Sequence, residues 1–184
     1  MRVIAGTAKG CKLNSIDDIS TRPTLDRVKE PLFSIIQNYI QDADVLDLFA
    51  GSGALGIEAL SRGAAHCTFC DKSYKAYGMI KQNIIKTNFE EKSKVINIDY
   101  KKCIEQINEK FNLIFIDPPY KKDIAIDAVK KILQYNLLAK DGIIIIETDE
   151  EQREIEELEN ITNLEIYDKR KYGRVKLLFL HERG

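Results

Sequence analysis

The sequence predicts an α/β protein built on a doubly wound, mostly parallel sheet. Three observations carry that expectation. From Asp44 onward, apolar strand-like runs alternate with segments of helical period, the pattern of a parallel sheet covered on both faces. The run Val45-Leu46-Asp47-Leu48-Phe49 breaks into Ala50-Gly51-Ser52-Gly53 and resumes as Ala54-Leu55-Gly56-Ile57-Glu58-Ala59-Leu60, which reads as strand, tight turn, helix. Near the end, Leu164 to Tyr167 and Val175 to Leu180 are joined through Tyr172-Gly173-Arg174, a glycine-containing link that implies a hairpin and reverses the last strand.

Residues 1 to 14 read as two short strands, Arg2 to Ala5 and Cys11 to Leu13, joined by the turn-like Gly6-Thr7-Ala8-Lys9-Gly10. Arg2, Lys9 and Lys12 give this hairpin a positive face, and Asp17 and Asp18 follow in a polar linker. In the next segment Thr24 is an N-cap candidate. Val28, Leu32, Phe33, Ile35 and Ile36 form an apolar stripe there, with Arg27 and Lys29 expected to be exposed. Pro31 would kink a helix at that depth, so the regular helix is expected to begin near Glu30.

Strands are expected at 44 to 49, 66 to 71, 94 to 99, 111 to 116 and 142 to 147, with helices near 53 to 62, 74 to 88, 101 to 109 and 123 to 136. In the second of these helices Tyr77, Ile80 and Ile84 are expected to make one buried face. Gly78 weakens it by about 1 kcal/mol relative to alanine, and nothing in it suggests chemistry. The acidic stretch from Glu150 to Glu159 reads as a helix with a solvated face.

A chain of 184 residues has the length of one domain and can bury a core. The expected division is a hairpin extension over 1–20 and a core over 21–184. A formal net charge of -1 excludes a broadly cationic protein, so nucleic-acid contact must come from local patches. No run approaches the roughly 20 apolar residues that span a bilayer, so no membrane partner is expected and the cytoplasm is the default location. The four cysteines, at 11, 67, 70 and 103, show no disulfide framework. Cys67 and Cys70 stand in a strand whose alternate side chains face opposite ways, which argues against a metal or redox pair and for buried free thiols.

The chemistry is concentrated at strand ends. Gly51, Gly53 and Gly56 have the spacing of a nucleotide-binding turn, and Asp71 follows at the end of the next strand, where a carboxylate can accept both ribose hydroxyls. Asp47 precedes the first glycine. A negative charge there suits a ligand with a positive ammonium or sulfonium better than a pyrophosphate. Asp117-Pro118-Pro119-Tyr120 comes directly after the apolar run Leu113 to Ile116. Together these elements resemble motifs I and IV of S-adenosylmethionine-dependent amino-methyltransferases.

The whole chain resembles the RsmD family, bacterial methyltransferases that modify the exocyclic N2 of one guanine in 16S ribosomal RNA. The matching segments are Arg2 to Gly10, Thr21-Arg22-Pro23-Thr24-Leu25-Asp26-Arg27-Val28-Lys29-Glu30, Asp47 to Gly63, Asp117 to Tyr120 and Gly173-Arg174-Val175. The resemblance implies a Rossmann-like methyltransferase fold with a seven-stranded, mostly parallel sheet, an antiparallel last strand and a short N-terminal β-hairpin. It implies S-adenosylmethionine as cofactor, held by backbone around Ala50, Gly51 and Gly53 with Asp47 near the methionine end, Asp71 on the ribose and Asp99 near the adenine amino group. On the substrate side, Asp117 and the Pro118 carbonyl would accept hydrogens from the guanine amine and Tyr120 would stack on the base. Whether Asp117 also takes a proton stays open. Ribosomal RNA, in an assembled or assembling small subunit, is the implied partner, with Arg2, Lys9, Lys12, Arg22, Arg27 and Lys29 as RNA contacts and no metal. Three rivals remain at this point: a DNA adenine-N6 methyltransferase, for which the chain has no spare target-recognition region; a nicotinamide oxidoreductase on the same glycine fingerprint; and a non-catalytic RNA-binding module.

Overall fold

A computed structural model describes the backbone of residues 1–15, 22–119, 123–149 and 152–184, and the side chains of these apart from 22–27 and 152–153. Among the described residues seven strands form one sheet: β1 Asp44–Asp47, β2 His66–Cys70, β3 Ser93–Ile96, β4 Phe111–Ile116, β5 Leu138–Thr148, β6 Leu164–Tyr172 and β7 Val175–Glu182. Six α-helices accompany them among the described residues: α1 Arg22–Ile35, α2 Ala54–Ser61, α3 Tyr74–Thr87, α4 Tyr100–Gln106, α5 Ile124–Gln134 and α6 Gln152–Glu159. The strand order is β3-β2-β1-β4-β5-β7-β6. All pairs are parallel except those made by β7, which runs against both β5 and β6. The chain winds outward from β1 through β2 to β3, then returns to place β4 on the other side of β1. The reversal falls between β1 and β4, and the carboxyl ends of strands at such a switch point are where open sheets of this kind bind ligands.

The central strands are apolar on both faces because both faces are covered. Val45, Leu113, Phe115, Ile143 and Ile145 join one core with Val28, Leu32, Phe33 and Ile36 of α1, Ile57 and Leu60 of α2, and Ile80 and Ile84 of α3. Leu46, Ile114, Ile116, Ile144 and Ile146 join the other with Ile104 of α4, Val129 and Ile132 of α5, and Leu158 of α6. Each fully buried side chain of this kind contributes about 1.5–3 kcal/mol. Cys67 belongs to the first layer and Cys70 to the second, so the strand turns their thiols away from each other. All four cysteines are free.

Several expectations need correcting. Helix α1 does not start near Glu30; it runs from Arg22 with Pro31 inside it, and Thr24 lies within the helix instead of capping it. An interior proline costs about 3 kcal/mol. Burial of Val28, Leu32, Phe33 and Ile36 against the sheet outweighs that cost. In α3, Ile80 and Ile84 are buried but Tyr77 is only half-buried, so it does not belong to the inward face. Glu154 of the acidic helix is not solvated: its carboxylate is buried and accepts a 2.6 Å hydrogen bond from the Thr148 hydroxyl. Strand β5 starts four residues earlier than its apolar run suggests, passing through Asp141 at φ 61°. Asp17 and Asp18 lie outside the described residues.

The N-terminal arm pairs with itself at one antiparallel bridge, Arg2 with Lys12, supported by Val3 N–H to Cys11 O at 3.0 Å and Leu13 N–H to Met1 O at 3.0 Å. Gly10 N–H also donates to Val3 O at 2.9 Å, and Glu58 of α2 takes the donors of the next two residues. Its carboxylate accepts from Ile4 N–H at 2.9 Å and Ala5 N–H at 3.0 Å.

Candidate active site at the carboxyl rim of the sheet

The glycine turn after β1 is shaped by backbone angles that a Cβ disfavours: Gly51 has φ 56° and Gly53 has φ 78°. Gly56, in the first turn of α2, is required for a different reason. A Cβ there would stand 2.3 Å from Phe69 Cε1 and 2.5 Å from Cys67 Sγ, so its absence lets α2 lie directly on β2. The turn is also held from outside. Ala50 N–H donates to Cys70 O at 3.0 Å, and the fully buried Asn83 of α3 donates to Ser52 O at 2.8 Å.

Asp71, just past β2, accepts from Gly51 N–H at 2.9 Å with one carboxylate oxygen and from Ser73 N–H at 2.8 Å with the other. Each oxygen keeps a lone pair, so the group can still take ribose hydroxyls. Asp99 is the N-cap of α4 and accepts from Lys101 N–H at 3.0 Å through Oδ1. The cap role explains its presence without a ligand, and β3 ends at Ile96, so Asp99 stands in the link to α4 and not at the end of a strand over 94 to 99 as expected.

Three more carboxylates share one face of the sheet. Asp47 pairs in register with Phe115, which places Asp117 two residues beyond Asp47's partner on the adjacent strand. Ile116 pairs with Ile146, so Asp117 and Glu147 continue level with each other. Because strand side chains alternate, Asp47, Asp117 and Glu147 all lie on the face of Val45, Phe115 and Ile145. Asp47 is 2% exposed and accepts from Gly56 N–H at 3.0 Å.

Burial pushes the Asp47 carboxyl up to about 7, opposed by the Gly56 N–H and assisted by the charge on Asp71. Burial, then Glu147, then Asp47, holds Asp117 well above the ordinary carboxylate range, and burial lifts Glu147 to about 7. Near neutral pH this cluster therefore carries less than its formal charge. It suits a ligand that brings positive charge and hydrogen-bond donors.

The structure thus brings Asp47, Ala50, Gly51, Gly53, Asp71, Asp99, Asp117 and Pro118 to one rim. Tyr120 lies outside the described residues. Of the expected RNA contacts, Arg2, Lys9 and Lys12 are exposed on the arm, while the side chains of Arg22 and Arg27 lie outside the described residues.

Lys29 is a correction. It is 1% exposed, with its ammonium 3.3 Å from Glu58 Oε2 and donating to Arg2 O at 2.7 Å. Its place on the packed side of α1, beside buried Val28 and Leu32, turns it inward, where it clamps the arm to α2. Three residues escaped the sequence reading: Glu58, Asn83 and Glu147. Glu58 had a visible signal, a lone carboxylate inside the apolar helix segment Leu55 to Leu60. Glu147 had another, the point where the run Ile143 to Ile146 ends at the same rim as Asp117. Asn83 had none, since a single amide on a helix does not reveal that it faces a loop.

The family model described as "Conserved hypothetical protein 95" matches residues 1–181. The chain is 39% identical over 187 residues to "Putative rRNA methyltransferase YlbH" of Bacillus subtilis, covering all of both proteins. It is 37% identical over 157 residues to "Ribosomal RNA small subunit methyltransferase D" of Haemophilus influenzae, with 83% of this chain and 80% of that protein covered. Among solved structures, "Putative methyltransferase yhhF from Escherichia coli" superposes with a TM-score of 0.84 at 28% identity, over 100% of this chain and 98% of that one.

Proposed function

The chain belongs to the family described as Conserved hypothetical protein 95, and from that premise we propose that it is an S-adenosylmethionine-dependent methyltransferase of 16S ribosomal RNA that acts on the exocyclic N2 amine of a guanine. The observation that carries this reading is the level placement of Asp117 and Glu147 beside Asp47 and the glycine turn, on one face at the switch point of the sheet.

The residues present fit the cofactor. Gly51 and Gly53 keep the turn open to close approach, and Asp71 has lone pairs for the ribose; Asp99 would accept from the adenine amino group, and Asp47, its carboxyl pushed up to about 7 by burial, would be drawn into its ionised form by the positive methionine end. When bound, S-adenosylmethionine supplies an electrophilic methyl group on a positively charged sulfur.

The guanine amine is a weak nucleophile because its lone pair is delocalised into the ring, so the protein's contribution is orientation. Asp117 accepts one amine hydrogen and the Pro118 carbonyl accepts the other. Glu147, level with Asp117, accepts the ring N1–H, so that two acceptors meet the adjacent donors on the guanine edge. An adenine presents an acceptor at N1 and meets this pair poorly. Tyr120 provides a face for the extruded base, worth roughly 1–3 kcal/mol. After transfer the amine carries an acidic proton, which Asp117 or water can take.

The substrate is an assembled or assembling small subunit, with Arg2, Lys9, Lys12, Arg22 and Arg27 on its phosphates. No helix among the described residues is long and apolar enough to cross a membrane, and a ribosomal substrate implies the cytoplasm. Labelled S-adenosylmethionine incubated with unmodified small-subunit particles, and separately with DNA, tests the reading. Labelled N2-methylguanine from the RNA supports it; labelled N6-methyladenine from the DNA replaces it.

A further inference from the structure

Helix α3 is joined to the N-terminal arm, and both are devoid of carboxylates. Residues 1–14 carry Arg2, Lys9 and Lys12, and residues 72–88 carry Lys72, Lys75, Lys81 and Lys86, with no Asp or Glu in either, in a chain whose formal net charge is -1. The segments are fastened side by side. Asn14 N–H donates to Asn83 Oδ1 at 2.8 Å, Asn83 Nδ2 returns a bond to Asn14 O at 3.0 Å, and Lys86 donates to Asn14 Oδ1 at 2.5 Å. The result is one cationic surface on a protein whose remaining residues are net acidic.

The outer stripe of α3 adds aromatic character to that charge. Tyr74 is 79% exposed, and its ring is stacked on Tyr77 at 6.0 Å with 28° between the planes. The Lys81 ammonium lies 5.2 Å over the other ring. Ile85, further along the stripe, is 58% exposed. Between Tyr74 and Lys81 stands Gly78, where a Cβ would meet nothing within 4 Å. Packing does not demand glycine there, and a helix interior disfavours it. What it does provide is a notch through which another backbone can reach the helix. Tyr74 is also next to the rim, one residue past Ser73, whose N–H binds Asp71.

We propose that the outer stripe of α3 is an RNA-binding surface, with an unpaired base stacked on Tyr74, the strand's backbone passing over Gly78, and its phosphates on Lys75, Lys81 and the adjoining arm. The inference rests on the reading of the protein as a ribosomal RNA methyltransferase and extends it to a surface outside the crevice. Stacking on an exposed ring beside lysines is how single-stranded RNA is held without sequence readout, and the lack of carboxylates removes the repulsion that phosphates would otherwise meet.

The test uses the full chain and a fluorescent, protein-free 16S RNA fragment, with small-subunit particles in parallel. Tyr74→Ala is expected to weaken RNA binding about 5- to 100-fold. Lys75→Gln with Lys81→Gln is expected to flatten the dependence of log affinity on log salt by roughly 1 to 2. Gly78→Gln is expected to raise the thermal midpoint while weakening RNA binding, a combination that misfolding cannot produce. S-adenosylmethionine affinity stays at the wild-type value throughout. Wild-type RNA affinity in both Tyr74→Ala and Gly78→Gln overturns the proposal, as does a loss confined to particles, which would assign the stripe to a ribosomal protein. Failure of the enzyme reading looks different: RNA binding that depends on α3, with no methyl transferred.

Discussion

Lys29 Nζ lies 3.3 Å from Glu58 Oε2 with both side chains fully buried. The same carboxylate holds Ile4 N–H, Ala5 N–H and Arg62 Nε at 2.9, 3.0 and 2.8 Å, so one acidic side chain joins α1, α2 and the N-terminal arm. Removing one partner of such a pair leaves an uncompensated buried charge, at a cost of about 3–5 kcal/mol. Glu58→Ala is therefore expected to destabilise the protein by that amount, measured by urea denaturation. Loss below about 1 kcal/mol would mean that the buried pair contributes little to holding the arm.

Gly56→Ala tests the close contact of α2 with β2. The added methyl must displace the Phe69 ring and the Cys67 sulfur, which it would approach to 2.3 and 2.5 Å. Overpacking of this kind costs about 1–3 kcal/mol. Because Gly56 N–H also anchors Asp47, the same substitution is expected to weaken S-adenosylmethionine binding in a calorimetric titration.

The raised carboxyls make a signed statement about pH. Asp47 titrates near 3.8 when unfolded and about 7 when folded, so the folded state keeps a proton that the unfolded state has released. Its contribution to stability is full below about 4, falls as pH rises toward 7, and is lost above it. Cofactor binding has the opposite slope. A sulfonium beside Asp47 favours the ionised form, so affinity for S-adenosylmethionine is expected to rise about tenfold from pH 6 to pH 8. S-adenosylhomocysteine, without the sulfonium charge, should show a clearly smaller change. Parallel pH dependences for the two ligands would remove Asp47 from the methionine end.

Glu147→Gln separates a chemical role from a structural one. Glu147 helps to hold the Asp117 carboxyl up, so its removal is expected to shift the acid limb of the kcat profile to lower pH. A fall of about tenfold or more in kcat for the guanine substrate, at unchanged S-adenosylmethionine affinity, is expected alongside. An unmoved pH profile would show that Glu147 does not act on Asp117.

How much was legible in the sequence depended on whether the signal was local. The runs over 44 to 49, 66 to 71 and 111 to 116 located β1, β2 and β4, though β1 and β2 end earlier, at Asp47 and Cys70, and the alternation of strand and helix implied the layering, because a parallel sheet must be covered on both faces. Tyr172-Gly173-Arg174 likewise foretold the reversed β7. Lys29 was misread because its helical position shows only which residues share a face; the carboxylate that draws it inward is 29 residues away. The early start of β5 was hidden by Lys140-Asp141-Gly142, which has turn composition yet runs within the strand, with Gly142 pressed against the Ala139 and Phe111 carbonyls. Glu147 entered the site only when the register of β4 and β5 was known.

The central claim is that Asp117 and the glycine turn serve one crevice in which a guanine amine is methylated. Single-turnover methyl transfer to unmodified small-subunit particles, comparing wild type with Asp117→Asn and mapping the altered base, tests it most directly. The expected result is methylation of one guanine at N2 by the wild type, with a rate at least 100-fold lower in the variant and no change in S-adenosylmethionine affinity. An unchanged rate in Asp117→Asn, or a methyl group found on any other acceptor, would contradict the claim.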